Sequence, residues 1–211
     1  TERGKCFWLR VYAVPEGSKN SKGRPIQNMM NIENGDTIRA VINVKSITDP
    51  DYIDNNFIVM CTEDGTIKKT SLEAYSRPRQ NGIIAITIRE GDRLLDVALT
   101  NGNNQIVIAT NTGRSVRFEE TRVRPMGRSA AGVKGIWIDE KIPTEKVVGM
   151  VCVSDPEVQQ LLVVSEKGFG KAFAATLITP SQPQAICAIT ISSSPLTTKK
   201  LEGRSFNIAI I

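Results

Sequence analysis

The chain contains no histidine. That removes Ser-His-Asp and Cys-His catalysis and the usual zinc sites. Aromatic residues make up only 5% of the sequence, so stacking platforms for single-stranded nucleic acid are scarce. No apolar run approaches the roughly 18 residues that a membrane helix needs. No Cys-x-x-Cys pair occurs. Cys6, Cys61, Cys152 and Cys187 are widely spaced, each inside an apolar, strand-like run, and read as buried free thiols in a reducing cytoplasm. Residue 1 is threonine and no signal segment follows it, so the chain reads as a piece of a larger protein.

What is present points to repetition. The 211 residues include an ordinary 40% of apolar side chains, enough for a real core. A glycine follows an apolar run and opens a basic, alternating strand at Gly65 (GTIKKT), Gly113 (GRSVRF) and Gly168 (GFGKAF). Gly4 opens GKCFWLRVY in the same manner. Each pairing reads as a hairpin with a short polar turn ending in glycine. Counting forward about 17 to 19 residues from each glycine reaches Gly23, Gly82, Gly132 and Ala185. A third strand-like run follows each: RPIQNMMNI, IIAITI, VKGIWI and ICAITI. A fourth apolar run closes each unit: TIRAVINV, LLDVALT, VVGMVCV and, less clearly, FNIAII.

The pattern predicts an all-β protein, a propeller-like array of about four four-stranded blades, with solenoids and sandwiches as rivals. The expected blades span roughly 1–49, 50–101, 102–155 and 156–211 of one repeat domain. Helix is confined to a single turn over Leu72–Tyr75. From Ala172 to Ile211 the only charges are Lys199, Lys200, Glu202 and Arg204, and the loop TPSQPQ lacks the cations of its counterparts. Either this unit has lost its charge or the reading frame departs from the natural sequence here.

The net charge of +5 is modest, and its placement is more informative than its sum. Cations recur after the hairpin glycines at Lys68 and Lys69, at Arg114 and Arg117, and at Lys171. The long loops carry Lys19, Lys22 and Arg24, then Arg77 and Arg79, then Arg122, Arg124, Arg128 and Lys134. Radial units would set equivalent positions on one circumference. A positive belt on a disc matches the backbone of a bent duplex, through phosphate contacts that are sequence-independent and salt-dependent. The same charges could merely solvate outer strand faces. Enzymatic readings are weaker. GFGK at Gly168–Lys171 lacks the spacing of a phosphate-binding loop. Glu119-Glu120 and Asp139-Glu140 read as solvated turn residues, and Trp8 and Trp137 as core.

Three stretches carry a resemblance: RGKCFWLRVYAVPEGSKNSKGRPIQN, DGTIKKTSLEAYSRPRQNGIIAITI and GRSVRFEETRVRPMGRSAAGVKGI. In order and spacing, from about Arg3 to Lys171, they resemble the DNA gyrase A C-terminal domain family. The corresponding domain of topoisomerase IV shares the architecture, but GRPI and RPMGRSAAGVKGI look more like gyrase. The resemblance implies a β-pinwheel whose blades exchange strands. It implies a cytoplasmic, chromosome-associated protein that wraps double-stranded DNA around a basic rim. The implied partners are the rest of gyrase A and the gyrase B protein, and the implied reaction is ATP-dependent negative supercoiling by the whole type II topoisomerase. ATP, magnesium and the cleaving tyrosine would act elsewhere in that enzyme, so no catalytic residue, cofactor or metal is expected in this chain. The family's glutamine–arginine–arginine–glycine–glycine–lysine–glycine box is absent, which implies DNA binding with little support for supercoiling. A propeller that scaffolds protein partners is the alternative.

Overall fold

A computed structural model of the chain describes residues 1–165, 170–177, 187–188 and 206–210. Among the described residues, thirteen strands run in chain order: β1 (Lys5–Cys6), β2 (Phe57–Thr62), β3 (Thr66–Ser71), β4 (Ile83–Ile84), β5 (Leu94–Thr100), β6 (Gln105–Thr110), β7 (Arg114–Glu119), β8 (Val133–Lys134), β9 (Val147–Val153), β10 (Gln160–Ser165), β11 (Gly170–Ala174), β12 (Cys187–Ala188) and β13 (Phe206–Ile210). One short helix, α1 (Pro50–Asp54), has proline in its first turn, where no N–H is needed. The turn at Leu72–Tyr75 forms as a 3-10 helix capped by Ser71, whose hydroxyl accepts from the Glu73 N–H.

The strands form four antiparallel sheets in the orders β1-β4, β5-β2-β3-β8, β12-β7-β6-β9 and β11-β10-β13. The hairpins stand where the glycines place them: β2 with β3, β6 with β7, and β10 with β11. The turn is the same three times. Gly4, Gly65 and Gly113 each donate a backbone N–H to a threonine three residues earlier, Thr1, Thr62 and Thr110. The fourth apolar run pairs with the first strand of its own hairpin, β5 with β2 and β9 with β6, each with a register shift at the threonine.

The third run behaves differently. Ile83–Ile84 pairs with Lys5–Cys6, Val133–Lys134 with Thr66–Ile67, and Cys187–Ala188 with Arg114–Ser115. The second, third and fourth units therefore each lend a third strand to the outer edge of the preceding unit's sheet. Contiguous blades of about fifty residues do not contain whole sheets: the second sheet draws on 57–100 and then 133–134. Strand exchange also corrects the expectations for the first unit. RPIQNMMNI holds a 3-10 helix at Ile26–Asn28, and TIRAVINV forms no strand.

Three cores fill the gaps between successive sheets. Cys6, Trp8, Ile42 and Val44 pack on Ile58, Met60, Leu72 and Ile83. Val59, Cys61 and Ile67 meet Ile106, Ile108, Val147 and Met150. Val107, Val151 and Val153 meet Leu161, Ala175 and Phe173. Strands β2 and β6 are apolar without alternation because each is covered on both faces. The inner edge strands β5 and β9 touch each other, as do β9 and β13, so the sheets converge on one side in the manner of blades. The turn at Gly168, the loop TPSQPQ and Ala185 lie outside the described residues.

The lent strands close on a glycine. The Gly65 carbonyl accepts from the Gly135 N–H at 2.9 Å and the Ile136 N–H at 3.3 Å, and the Gly4 carbonyl accepts from Ala85 at 2.8 Å and Ile86 at 3.3 Å. Gly65 has φ +80°, and a Cβ there would lie 2.6 Å from the Ile136 carbonyl oxygen. Gly91 has φ +83° but open space around it. Gly91→Ala should therefore cost only the left-handed backbone penalty, about 1–2 kcal/mol. Gly65→Ala should cost more than about 3 kcal/mol, because it also opens the clasp between two units. Urea denaturation of both variants checks the difference, and equal losses would refute the clasp.

Candidate nucleic-acid interface

The outer edges carry the long basic loops. Residues 76–82 lead into β4 on the edge of the first sheet, and residues 120–132 lead into β8 on the edge of the second. Both loops reach their edge in the same register, since Ile84 pairs with Lys5 as Lys134 pairs with Thr66.

The second loop is fastened along its length. It starts at Glu120, fully buried, whose carboxylate takes the Thr100 hydroxyl at 2.7 Å, the Lys69 ammonium at 3.0 Å and the Asn104 N–H at 3.2 Å. Val123 is buried, and the Met126 N–H donates to the Lys69 carbonyl at 2.8 Å. The Lys68 ammonium donates to the carbonyls of Arg128 and Ala85, the latter at 2.7 Å. Thr87 donates its hydroxyl to the Ser129 carbonyl at 2.7 Å and its N–H to the Ala130 carbonyl at 3.3 Å. The lent segment of one unit thus touches the loop of the next, and the two outer edges are continuous.

On this frame Arg122, Arg124 and Lys134 are exposed and Arg128 is half-buried. Arg77 and Arg79 are exposed on the preceding loop, as are Lys19, Lys22 and Arg24 in the first unit and Lys171 on β11. Among the described residues no ion pair engages Lys19, Lys22, Arg24, Arg77, Arg79, Arg124, Arg128, Lys134 or Lys171. The Lys134 ammonium donates to the Asp64 carbonyl at 2.9 Å and lies 5.9 Å from the centre of the Trp137 ring.

Four of the expected contact residues stand elsewhere. Lys68 is wholly buried, Lys69 lies beneath the loop against Glu120, and Arg117 is 6% exposed. None of the three can meet a phosphate in this structure. A cation in an alternating strand normally faces water, whereas these sheets are covered on both faces. Burial pushes the Lys68 ammonium down to about 8, with Arg128 adding to the shift, and lowers Arg117 in the same way. Arg114 is mostly buried and pairs with Glu145 at 3.0 Å.

Lys69 and Arg117 occupy the same place in successive sheets, as does Trp8, and each reaches the 3-10 turn of the next unit. Trp8 Nε1 donates to the Tyr75 carbonyl at 3.1 Å, Lys69 pairs with Glu120, and Arg117 donates to the Ala175 carbonyl at 3.3 Å. Ala175 stands where Glu120 stands one unit earlier, and the Arg117 Nε is buried without a partner among the described residues. Two acids that sequence reasoning missed are structural groups. Glu120 is no solvated turn residue, and Glu145 fastens Thr110, Arg114 and the Asp139 N–H. Trp137 is not core but 66% exposed, while Trp8 is in the core as expected. Cys6, Cys61 and Cys152 are free thiols, Cys61 buried and Cys6 and Cys152 half-buried, and burial raises all three. Among the described residues no cluster of His, Cys, Asp and Glu is gathered for a metal, and no helix is long and apolar enough to cross a membrane.

Comparison with known proteins agrees with this architecture. A family model described as the DNA gyrase C-terminal domain, beta-propeller, matches residues 1–45, 56–101 and 104–154, one segment per unit. The chain belongs to that family. The DNA gyrase A protein of Staphylococcus aureus (strain NCTC 8325) is 41% identical over 171 residues, covering 81% of this chain and 18% of the relative. Its Salmonella typhimurium counterpart is 38% identical over 175 residues, covering 83% and 19%. The chain thus spans about a fifth of the length of these relatives. The fold is also that of the C-terminal domain of DNA topoisomerase IV, with a TM-score of 0.72 at 24% identity over 85% of this chain and 53% of the other. A DNA gyrase A C-terminal domain gives 0.68 at 21% over 86% and 55%.

The buried ion pair makes a sharp stability test. Glu120→Ala should cost about 3–5 kcal/mol, since it strands the Lys69 ammonium in the interior. Urea unfolding of the variant checks this, and a loss below about 1 kcal/mol would mean that water reaches Lys69.

Proposed function

We propose that this chain is a DNA-wrapping module of the gyrase A type, binding double-stranded DNA along the outer edges of its sheets. The observation that carries the reading is the equivalence of successive edges, which brings Arg77 and Arg79 into the same setting as Arg122, Arg124, Arg128 and Lys134. Exposed cations on these edges face solvent, where phosphates can reach them, and release of the condensed counterions supplies the affinity. Contacts of this kind follow the backbone and are indifferent to sequence. Bending a duplex costs elastic energy, which contacts from several units in succession offset.

Within a whole enzyme the module would act beside the remainder of gyrase A and the gyrase B protein, presenting a wrapped segment for ATP-dependent strand passage. The family match and the gyrase A relatives support gyrase over topoisomerase IV. The exposed cations favour a nucleic-acid partner over a protein scaffold.

A gel-shift titration of the full chain with short and long duplexes at two salt concentrations tests the reading. The longer duplex should bind more tightly, with log K falling by about 0.9 per neutralised phosphate for each unit of log salt. Reversing Arg122, Arg124 and Arg128 to glutamate should flatten that slope by about three and weaken binding regardless of sequence. Salt-insensitive binding, or no preference for length, would refute wrapping.

A further inference from the structure

We propose that Lys68 is a positioning residue for the cationic loop: its buried ammonium ties the Arg128 carbonyl to the Ala85 carbonyl and holds the arginines of the loop in register with the preceding edge. This rests on the reading of that edge as the DNA-binding surface.

Other units do not require a cation at this place. The strand equivalence puts Phe7, the residue after β1, and Val116 in the third sheet where Lys68 stands in the second. Both are half-buried, and the Phe7 ring lies against Gly82. The fold therefore accepts an apolar side chain here. Lysine is the costlier choice, because an ammonium taken from water must recover its hydrogen bonds inside. Burial lowers its proton affinity, as expected for an ammonium held by carbonyls and not by a carboxylate. Lys171, at the same place in the fourth sheet, is exposed.

The loop explains what the cost secures. Between Met126 and Val133 it runs Gly127, Arg128, Ser129, Ala130, Ala131, Gly132, with no large apolar side chain to dock it. Its fastenings to the sheet in that stretch are the Lys68 bond to the Arg128 carbonyl and the two Thr87 bonds to Ser129 and Ala130. Glycine has the most backbone freedom to lose on ordering, and small side chains offer little packing to offset that loss. A loop fixed beforehand avoids this ordering cost when DNA arrives.

Lys68→Met keeps the length of the side chain and removes the donors. In the full chain without DNA, hydrogen exchange of the Ala130–Gly132 amides should quicken by about tenfold while β6 and β9 stay protected. Duplex affinity should fall about fivefold, and Arg128→Ala should cost less in the Lys68→Met background than alone. Unchanged exchange in the loop, or independent costs for the two substitutions, would overturn the proposal. If Lys68→Met does not fold, Thr87→Val removes one hydroxyl fastening of the same loop. A smaller shift in the same direction supports the latch, and no shift overturns it. If the unsubstituted chain shows no salt-dependent duplex binding, the DNA reading fails and the role of Lys68 fails with it. Normal duplex binding that is indifferent to Lys68→Met sinks the latch alone.

Discussion

The structure depends on one pairing, made three times: two residues of a following unit complete the outer edge of the sheet before it. Val133–Lys134 on Thr66–Ile67 is a short ladder, yet the Gly65 carbonyl extends it by taking two further N–H groups. An open outer edge would expose unpaired backbone groups and invite association. Lending a strand covers that edge and, in the same act, draws the following loop onto it. The sequence between hairpin and lent strand must therefore lie outside the array. That is why cations there face solvent, while Lys68, Lys69 and Arg117 inside the hairpins do not.

Polar groups in the interior are arranged by the same repetition. At one place per interface the hairpin strand reaches toward the 3-10 turn of the next unit, and the three interfaces solve it differently. The first uses an indole and an apolar turn, the second a lysine–glutamate pair, and the third an arginine facing alanine. The third leaves a guanidinium nitrogen buried without a partner among the described residues. A buried charge with one carbonyl partner is poorly compensated. The joint between the third and fourth sheets is thus the least well matched electrostatically, and it adjoins the segment whose sequence departs in character from the earlier units.

Much of this was legible in the residues. The glycines at 4, 65 and 113 marked hairpin turns because a positive φ is required at each. FIVMCT and QIVIAT read as the apolar first strands of hairpins, each followed by a short polar turn ending in glycine. Edge sharing was not legible from local pattern, since periodicity shows which residues form a strand but not which strand they join; it entered only through the family resemblance. The assignments of Lys68, Lys69 and Arg117 failed for that reason. Along β3 and β7, covered on both faces, alternation directs these side chains to one neighbouring sheet or the other and not to solvent. Glu120 looked like a turn residue because nothing local reveals that Lys69 and Thr100, distant in sequence, converge on it.

Lending in one direction also sets an order of assembly. On a ribosome, the hairpin Phe57–Ser71 emerges long before Val133–Lys134, and so does its inner strand Leu94–Thr100. Its outer edge stays bare until most of the following unit has been synthesised. Each of the first three sheets therefore waits on its successor, and completion passes along the nascent chain from the amino-terminal side with a lag of one module.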